Sequence, residues 1–129
     1  MVSPSMTLNR NQYRADNAKC ENLSGMKVLH ICGRTEKILA EMAETGFEGL
    51  SIEVEDVAAA KSVTGEVKIL GNVSSSKTLF LGKPEDVKEE ARKALRGVVN
   101  LLEPNCGIFP STPVENIKAM VEARDEYYA

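Results

Sequence analysis

The pattern of apolar and polar positions changes at about residue 26. Before it, residues 1–25 are polar, with Pro4, asparagines at 9, 11 and 17, and Gly25 closing the stretch. Tyr13, Ala15 and Ala18 allow a short helix, but the segment as a whole reads as an N-terminal arm, partly disordered. From Met26 onward, short apolar runs alternate with stretches whose apolar residues recur at helical spacing. KVLHI (27–31) is an apolar run with β-branched residues, bounded by Gly33, and predicts a buried strand. The next stretch changes period: Ile38, Leu39, Met42 and Ala43 fall on one helical face, and Gly46 is a natural stop. GLSIEV (49–54) predicts a second strand, EDVAAAKSVTG a short helix ending at Gly65, and VKILGNV (67–73) a third strand.

A longer connection, SSSKTLFLGK, leads into a helix over 84–97. Pro84 suits its first turn, Glu85 and Asp86 favour its N-terminal dipole, and Val87, Ala91, Ala94, Leu95 and Val98 make its apolar side. VVNLLEP (98–104) predicts a fourth strand. The last helix carries a strong start signal, with Thr112 as N-cap, Pro113 in the first turn and Glu115 completing a capping box. Val114, Ile117, Met120 and Val121 are its expected buried face. The order is β-α-β-α-β-α-β-α, which argues for an α/β fold with a parallel sheet and right-handed crossovers. Two architectures fit residues 26–129: a small open sheet, complete in itself, or half of a (β/α)8 TIM barrel. The second leaves two sheet edges and an inner face to be covered.

Composition narrows the function. The 129 residues suffice for one domain with a real core, and a net charge of −3 with mixed signs offers no basic stripe for nucleic acid. No apolar run approaches a membrane span and the first residues carry no long apolar segment, so the expected compartment is the cytoplasm. Three cysteines, at 20, 32 and 106, lack short paired spacing, which argues against a disulfide framework.

In parallel α/β folds, ligands meet the C-terminal ends of the strands. His30 and Cys32 end the first strand, Glu53 the second and Asn72 the third, while Cys106 and the flexible Gly107 follow the fourth. An imidazole, two thiolates and an oxygen donor would satisfy tetrahedral zinc, with Glu53 as an exchangeable fourth ligand. A zinc-bound thiol deprotonates near neutral pH, so such a site suits chemistry on a thiol. The plainer alternative is a packed histidine beside buried thiols. GNVSSS (71–76) matches neither phosphate-binding glycine motif and reads as an irregular polar loop. Lys77 and Arg34 read as solvated charges, and Cys20 as an incidental thiol.

Three segments sharpen this. LHICGRTEKILAEMAETGFEGLSIE, KILGNVSSSKTLFLGKPEDVKEEARKAL and EPNCGIFPSTPVENIKAMVEA closely resemble the C-terminal half of the methylcobalamin:coenzyme M methyltransferases, within the uroporphyrinogen decarboxylase superfamily of (β/α)8 barrels. The resemblance spans residues 26–124. It implies that His30, Cys32 and Cys106 are zinc ligands and that Glu53 is displaced by the substrate thiol, while Asn72 and Gly107 are candidates for the substrate rim by their place at the strand ends. It further implies coenzyme M as acceptor and, as donor, a methylated corrinoid (methylcobalamin) on a partner protein, the chemistry of methanogenesis.

Family members are much longer, and the resemblance implies that the first half of the barrel is what this stretch lacks. Self-association into a homodimer, or pairing with a complementary N-terminal half, would close the barrel. The competing readings are a catalytically incomplete zinc-binding or structural fragment, and a uroporphyrinogen decarboxylase-like protein. The decarboxylase reading gives no reason for two cysteines on the rim.

Overall fold

A computed structural model describes residues 10–129. It consists of α1 (Arg10–Lys19), β1 (Val28–Arg34), a 3-10 turn (Glu36–Ile38) running into α2 (Leu39–Ala43), β2 (Gly49–Glu53), α3 (Val57–Thr64), β3 (Lys68–Val73), a π-helical turn (Ser75–Phe80), α4 (Pro84–Arg96), β4 (Leu101–Pro104) and α5 (Val114–Tyr128). The four strands form one parallel sheet in the order β1-β2-β3-β4. The parallel sheet is what the strand–helix alternation predicts, and its sequential strand order is that of the half barrel, one of the two architectures the alternation left open.

Alternation along the strands separates two faces. Leu29, Leu50, Ile52 and Ile69 turn toward the helices and pack with Ile38, Leu39, Met42, Val57, Ala60, Ala94 and Leu95. A second cluster joins Val73, Leu79, Val87 and Ala91 to Ala119 and Ala123 of α5. The opposite face carries His30, Cys32, Ser51, Glu53 and Glu103, and on it Val28 is 37% and Leu101 53% exposed. At the lower end of that face Gly49 sits in close packing: a Cβ there would lie 3.0 Å from the Leu70 side chain and 3.2 Å from that of Val28.

Several elements differ from the sequence reading. The polar arm contains α1, which docks through Tyr13 against the main core and through the Arg14 guanidinium, donating to the Glu44 carbonyl at 3.0 Å. One aromatic anchor in a polar stretch gives little periodic signal. The disorder expected of the arm falls partly on residues 1–9, which lie outside the described residues. Strand β1 does not end before Gly33 but continues to Arg34, its register shifting between His30 and Arg34, with Gly33 at φ 86°. The polar loop after β3 contains the π-helical turn, opened by the Ser74 hydroxyl accepting from the Lys77 amide.

Helix α5 departs furthest. Thr112 makes no cap: its Oγ1 is buried without a hydrogen-bond partner, and Pro113 occupies the cap position. The buried face is Asn116, Ala119 and Ala123, whereas Val114 and Val121 are exposed. Asn116 sets this phase by donating to the carbonyls of Leu79 and Gly82, both at 2.9 Å. No helix among the described residues is long and apolar enough to cross a membrane.

Candidate metal centre

His30 and Cys32 lie two residues apart on β1, so strand alternation puts both side chains on the uncovered face. Cys106 arrives from the other end of the sheet, in the segment after β4. Its place is set by Asn105, whose amide donates to the Val73 carbonyl at 2.8 Å. The Asn105 side-chain oxygen accepts from the Ser75 amide at 3.2 Å and the Ser75 hydroxyl at 2.9 Å. Both side chains are buried.

The result is a compact donor group. Cys32 Sγ lies 3.4 Å from His30 Nε2 and 3.6 Å from Cys106 Sγ, and the three ligand atoms all fall within 4.8 Å of one another. In tetrahedral zinc, Zn–S near 2.3 Å and Zn–N near 2.0 Å separate sulfur from nitrogen by about 3.5 Å and sulfur from sulfur by about 3.8 Å. These two edges match that spacing within a few tenths of an ångström, the third lies within 4.8 Å, and two thiols with one imidazole are donors that zinc favours. Without a cation the same closeness is unfavourable to charge. The Cys32 thiol is held above its ordinary range, first by its hydrogen bond with Cys106, then by that group's charge, by burial and by Glu53.

Behind the histidine are two residues that the sequence reading passed over. His30 Nδ1 lies 3.0 Å from Ser51 Oγ and 3.2 Å from the Ser51 carbonyl oxygen. Ser51 Oγ in turn donates to Glu103 Oε1 at 2.7 Å. The available signal was strand parity: Ser51 shares a face with Glu53, and Glu103 with Leu101.

The other sequence candidates are placed differently. Glu53 is half-buried on β2, close enough to bear on the Cys32 thiol, but it is not one of the three grouped ligands. Asn72 turns its amide to the backbone of Val54, accepting from the nitrogen at 2.9 Å and donating to the carbonyl at 2.6 Å. It lines a helix-side cavity of about 210 Å³ with Asp56, Glu90 and Lys93. Asn72 therefore secures the end of β2 instead of facing the donor group. The neighbouring Gly71 (φ 151°) admits this close pairing, since a Cβ would meet the Ile52 carbonyl oxygen at 2.9 Å. Gly107 is exposed, with nothing within 4 Å of where a Cβ would sit. Arg34 pairs with Glu36 at 3.0 Å and Glu55 at 3.1 Å.

Comparison with known proteins bears on this geometry. Residues 11–127 match the family model described as uroporphyrinogen decarboxylase (URO-D). The chain is similar to a methylcobamide:CoM methyltransferase MtaA of Methanosarcina barkeri, with 50% identity over 111 residues, 84% of this chain and 33% of that protein. A methylcobamide:CoM methyltransferase MtbA of Methanosarcina acetivorans is 41% identical over 101 residues, 78% of this chain and 30% of that one. Among solved structures, a methyltransferase from Methanosarcina mazei aligns with a TM-score of 0.85 at 43% identity, over 95% of this chain and 36% of its own. The chain thus spans about a third of the length of the curated relatives it matches. The family match begins at residue 11, so it takes in α1, which the resemblance read from Met26 onward had left out.

Proposed function

The chain belongs to the uroporphyrinogen decarboxylase family, and we propose that it is the metal-holding, thiol-activating portion of a methylcobamide:coenzyme M methyltransferase acting in the cytoplasm. The observation that carries this reading is the convergence of His30, Cys32 and Cys106, with ligand atoms within 4.8 Å of one another. The relatives' names support methyl transfer over decarboxylation, for which two adjacent thiols would have no use.

In this reading His30 Nε2 and the sulfurs of Cys32 and Cys106 hold Zn2+. When bound, the ion supplies the positive charge that keeps a substrate thiol deprotonated near neutral pH. The protein's own contribution is a donor set with two negative charges and one neutral imidazole, open to solvent on the side of Cys32. Glu53, half-buried on β2 and near the Cys32 thiol, would be the exchangeable fourth ligand whose place the acceptor thiol would take. Gly107 leaves the approach beside Cys106 free of side-chain bulk. The acceptor is the thiol of coenzyme M, and the methyl donor is a methylated corrinoid carried by a partner protein.

Turnover further requires the open face of the sheet to be covered. Exposed Val28 and Leu101 on that face, and β1 and β4 as edge strands, support closure by a complementary N-terminal half or by a second copy of the chain. A monomer in sedimentation at micromolar concentration would rule out the second copy.

Elemental analysis of purified protein tests the metal centre. Stoichiometric zinc is expected, lost in both Cys32→Ala and Cys106→Ala and retained in Cys20→Ala. Well-folded protein that takes up no zinc when it is supplied would refute the reading.

A further inference from the structure

We propose that Glu103, acting through Ser51, is a positioning residue that fixes which nitrogen of His30 carries its proton. The proposal rests on the reading of His30 as a ligand and adds to it a residue that does not itself hold the metal.

The assignment follows from what each atom can do. Ser51 Oγ donates to Glu103 Oε1 at 2.7 Å, so the hydroxyl proton belongs to that bond. With its proton committed, Ser51 Oγ can only accept from His30 Nδ1, 3.0 Å away. The Ser51 carbonyl oxygen, 3.2 Å from the same nitrogen, is also an acceptor only. Both neighbours therefore demand a proton on Nδ1. In the neutral ring that leaves the lone pair on Nε2, the atom 3.4 Å from Cys32 Sγ. A ligating histidine needs that lone pair and is commonly oriented through its other nitrogen.

The route across the sheet is unusual enough to argue for a role. Glu103 pairs in register with Asn72 on β3, yet its carboxylate reaches past β3 to Ser51 on β2. The crossing is free because Asn72 has committed its amide to Val54. Ser51 itself is buried, while Glu103 is half-buried. Removing Glu103 would leave Ser51 free to rotate its proton toward Nδ1, so that only the Ser51 carbonyl would still favour a proton there and the two tautomers would mix.

The chain has one histidine, so its ring nitrogens can be read without ambiguity. Long-range 1H–15N correlation of 15N-labelled, metal-free protein at alkaline pH reports the tautomer directly. In the wild-type chain, the nitrogen coupled to both carbon-bound ring protons, Nε2, is expected at the unprotonated position. Glu103→Ala should shift both nitrogens toward intermediate values, and Glu103→Gln, which keeps an acceptor for Ser51, should restore the wild-type pattern. Zinc affinity by chelator competition should fall roughly 10–100-fold in Glu103→Ala and recover in Glu103→Gln.

A wild-type ring protonated on Nε2 overturns the proposal whether or not any variant folds. So does a folded Glu103→Ala variant with unchanged tautomer and affinity. Zinc bound normally with an unmoved tautomer refutes the positioning role alone. The expected tautomers in a chain that binds no zinc would refute the metal reading alone.

Discussion

Replacing Asn105 by alanine removes a single oxygen that holds two buried donors. Asn105 is 6% exposed and Ser75 4% exposed, so solvent cannot readily take over either bond. The Ser75 hydroxyl can rotate toward another acceptor, but its backbone amide cannot. Leaving that amide unpaired costs about 1–3 kcal/mol, and losing the hydroxyl bond about 1 kcal/mol more. The expected loss is therefore about 2–4 kcal/mol, a large share of the roughly 5–15 kcal/mol that stabilises a domain. Urea unfolding followed by circular dichroism should show the midpoint falling with little change in slope.

A double-mutant cycle with Ser75→Ala isolates the shared part. That substitution removes the hydroxyl but keeps the amide, so the double variant should lose about 1 kcal/mol less than the sum of the singles. Because Asn105 immediately precedes Cys106, zinc retention should weaken along with stability. An Asn105→Ala loss below about 0.5 kcal/mol, or strictly additive effects with Ser75→Ala, would refute the claim that this oxygen anchors the loop.

Two further outcomes are expected away from the site. Val98 follows α4 with φ 66° and is 60% exposed, while Gly97 must stay small because a Cβ would meet Val57 at 2.8 Å. Val98→Asn should thus raise stability by about 0.5–1 kcal/mol in thermal unfolding, and a loss would show that the valine side chain matters for packing. Between α4 and α5, Lys88 and then Arg92 hold the Glu126 carboxylate below its usual 4.5, so its contribution is present above that value and disappears as pH falls through the folded value. The stability gap between wild type and Glu126→Gln should be constant near neutrality and close in acid; a gap that widens in acid would contradict this sign.

Much of this fold is legible because strand and helix periods differ and each switch is punctuated. Gly46 and Gly65 stand at helix ends with positive φ, and Asp56 caps α3 by accepting from the Ala59 amide. What the sequence hides is what depends on tertiary partners. The phase of α5 follows from Asn116 reaching two carbonyls far earlier in the chain, and no local pattern announces them. Thr112 has the right neighbours for a cap, yet the helix starts later. For the donor group, strand parity predicts His30 and Cys32 together, whereas the Glu103–Ser51 contact crosses an intervening strand and is invisible to pairwise register.

The position of Cys106 is the harder fact to account for, and it explains why the centre matters to the fold. β1 and β4 are the two edges of the sheet, three strand spacings apart, which in a flat sheet is about 14 Å. The sulfurs at 32 and 106 are nevertheless 3.6 Å apart. The segment after β4 must therefore turn back across the strand ends, held there by Asn105 on Ser75 and Val73. A metal ion on His30, Cys32 and Cys106 would join the first strand to the last and close the longest loop in the sheet. In a half barrel with no helix over its inner face among the described residues, that link would couple ligand binding to the order of the whole sheet. A metal-loaded donor group would thus brace the rim with the same three side chains that the proposed function assigns to holding a thiol.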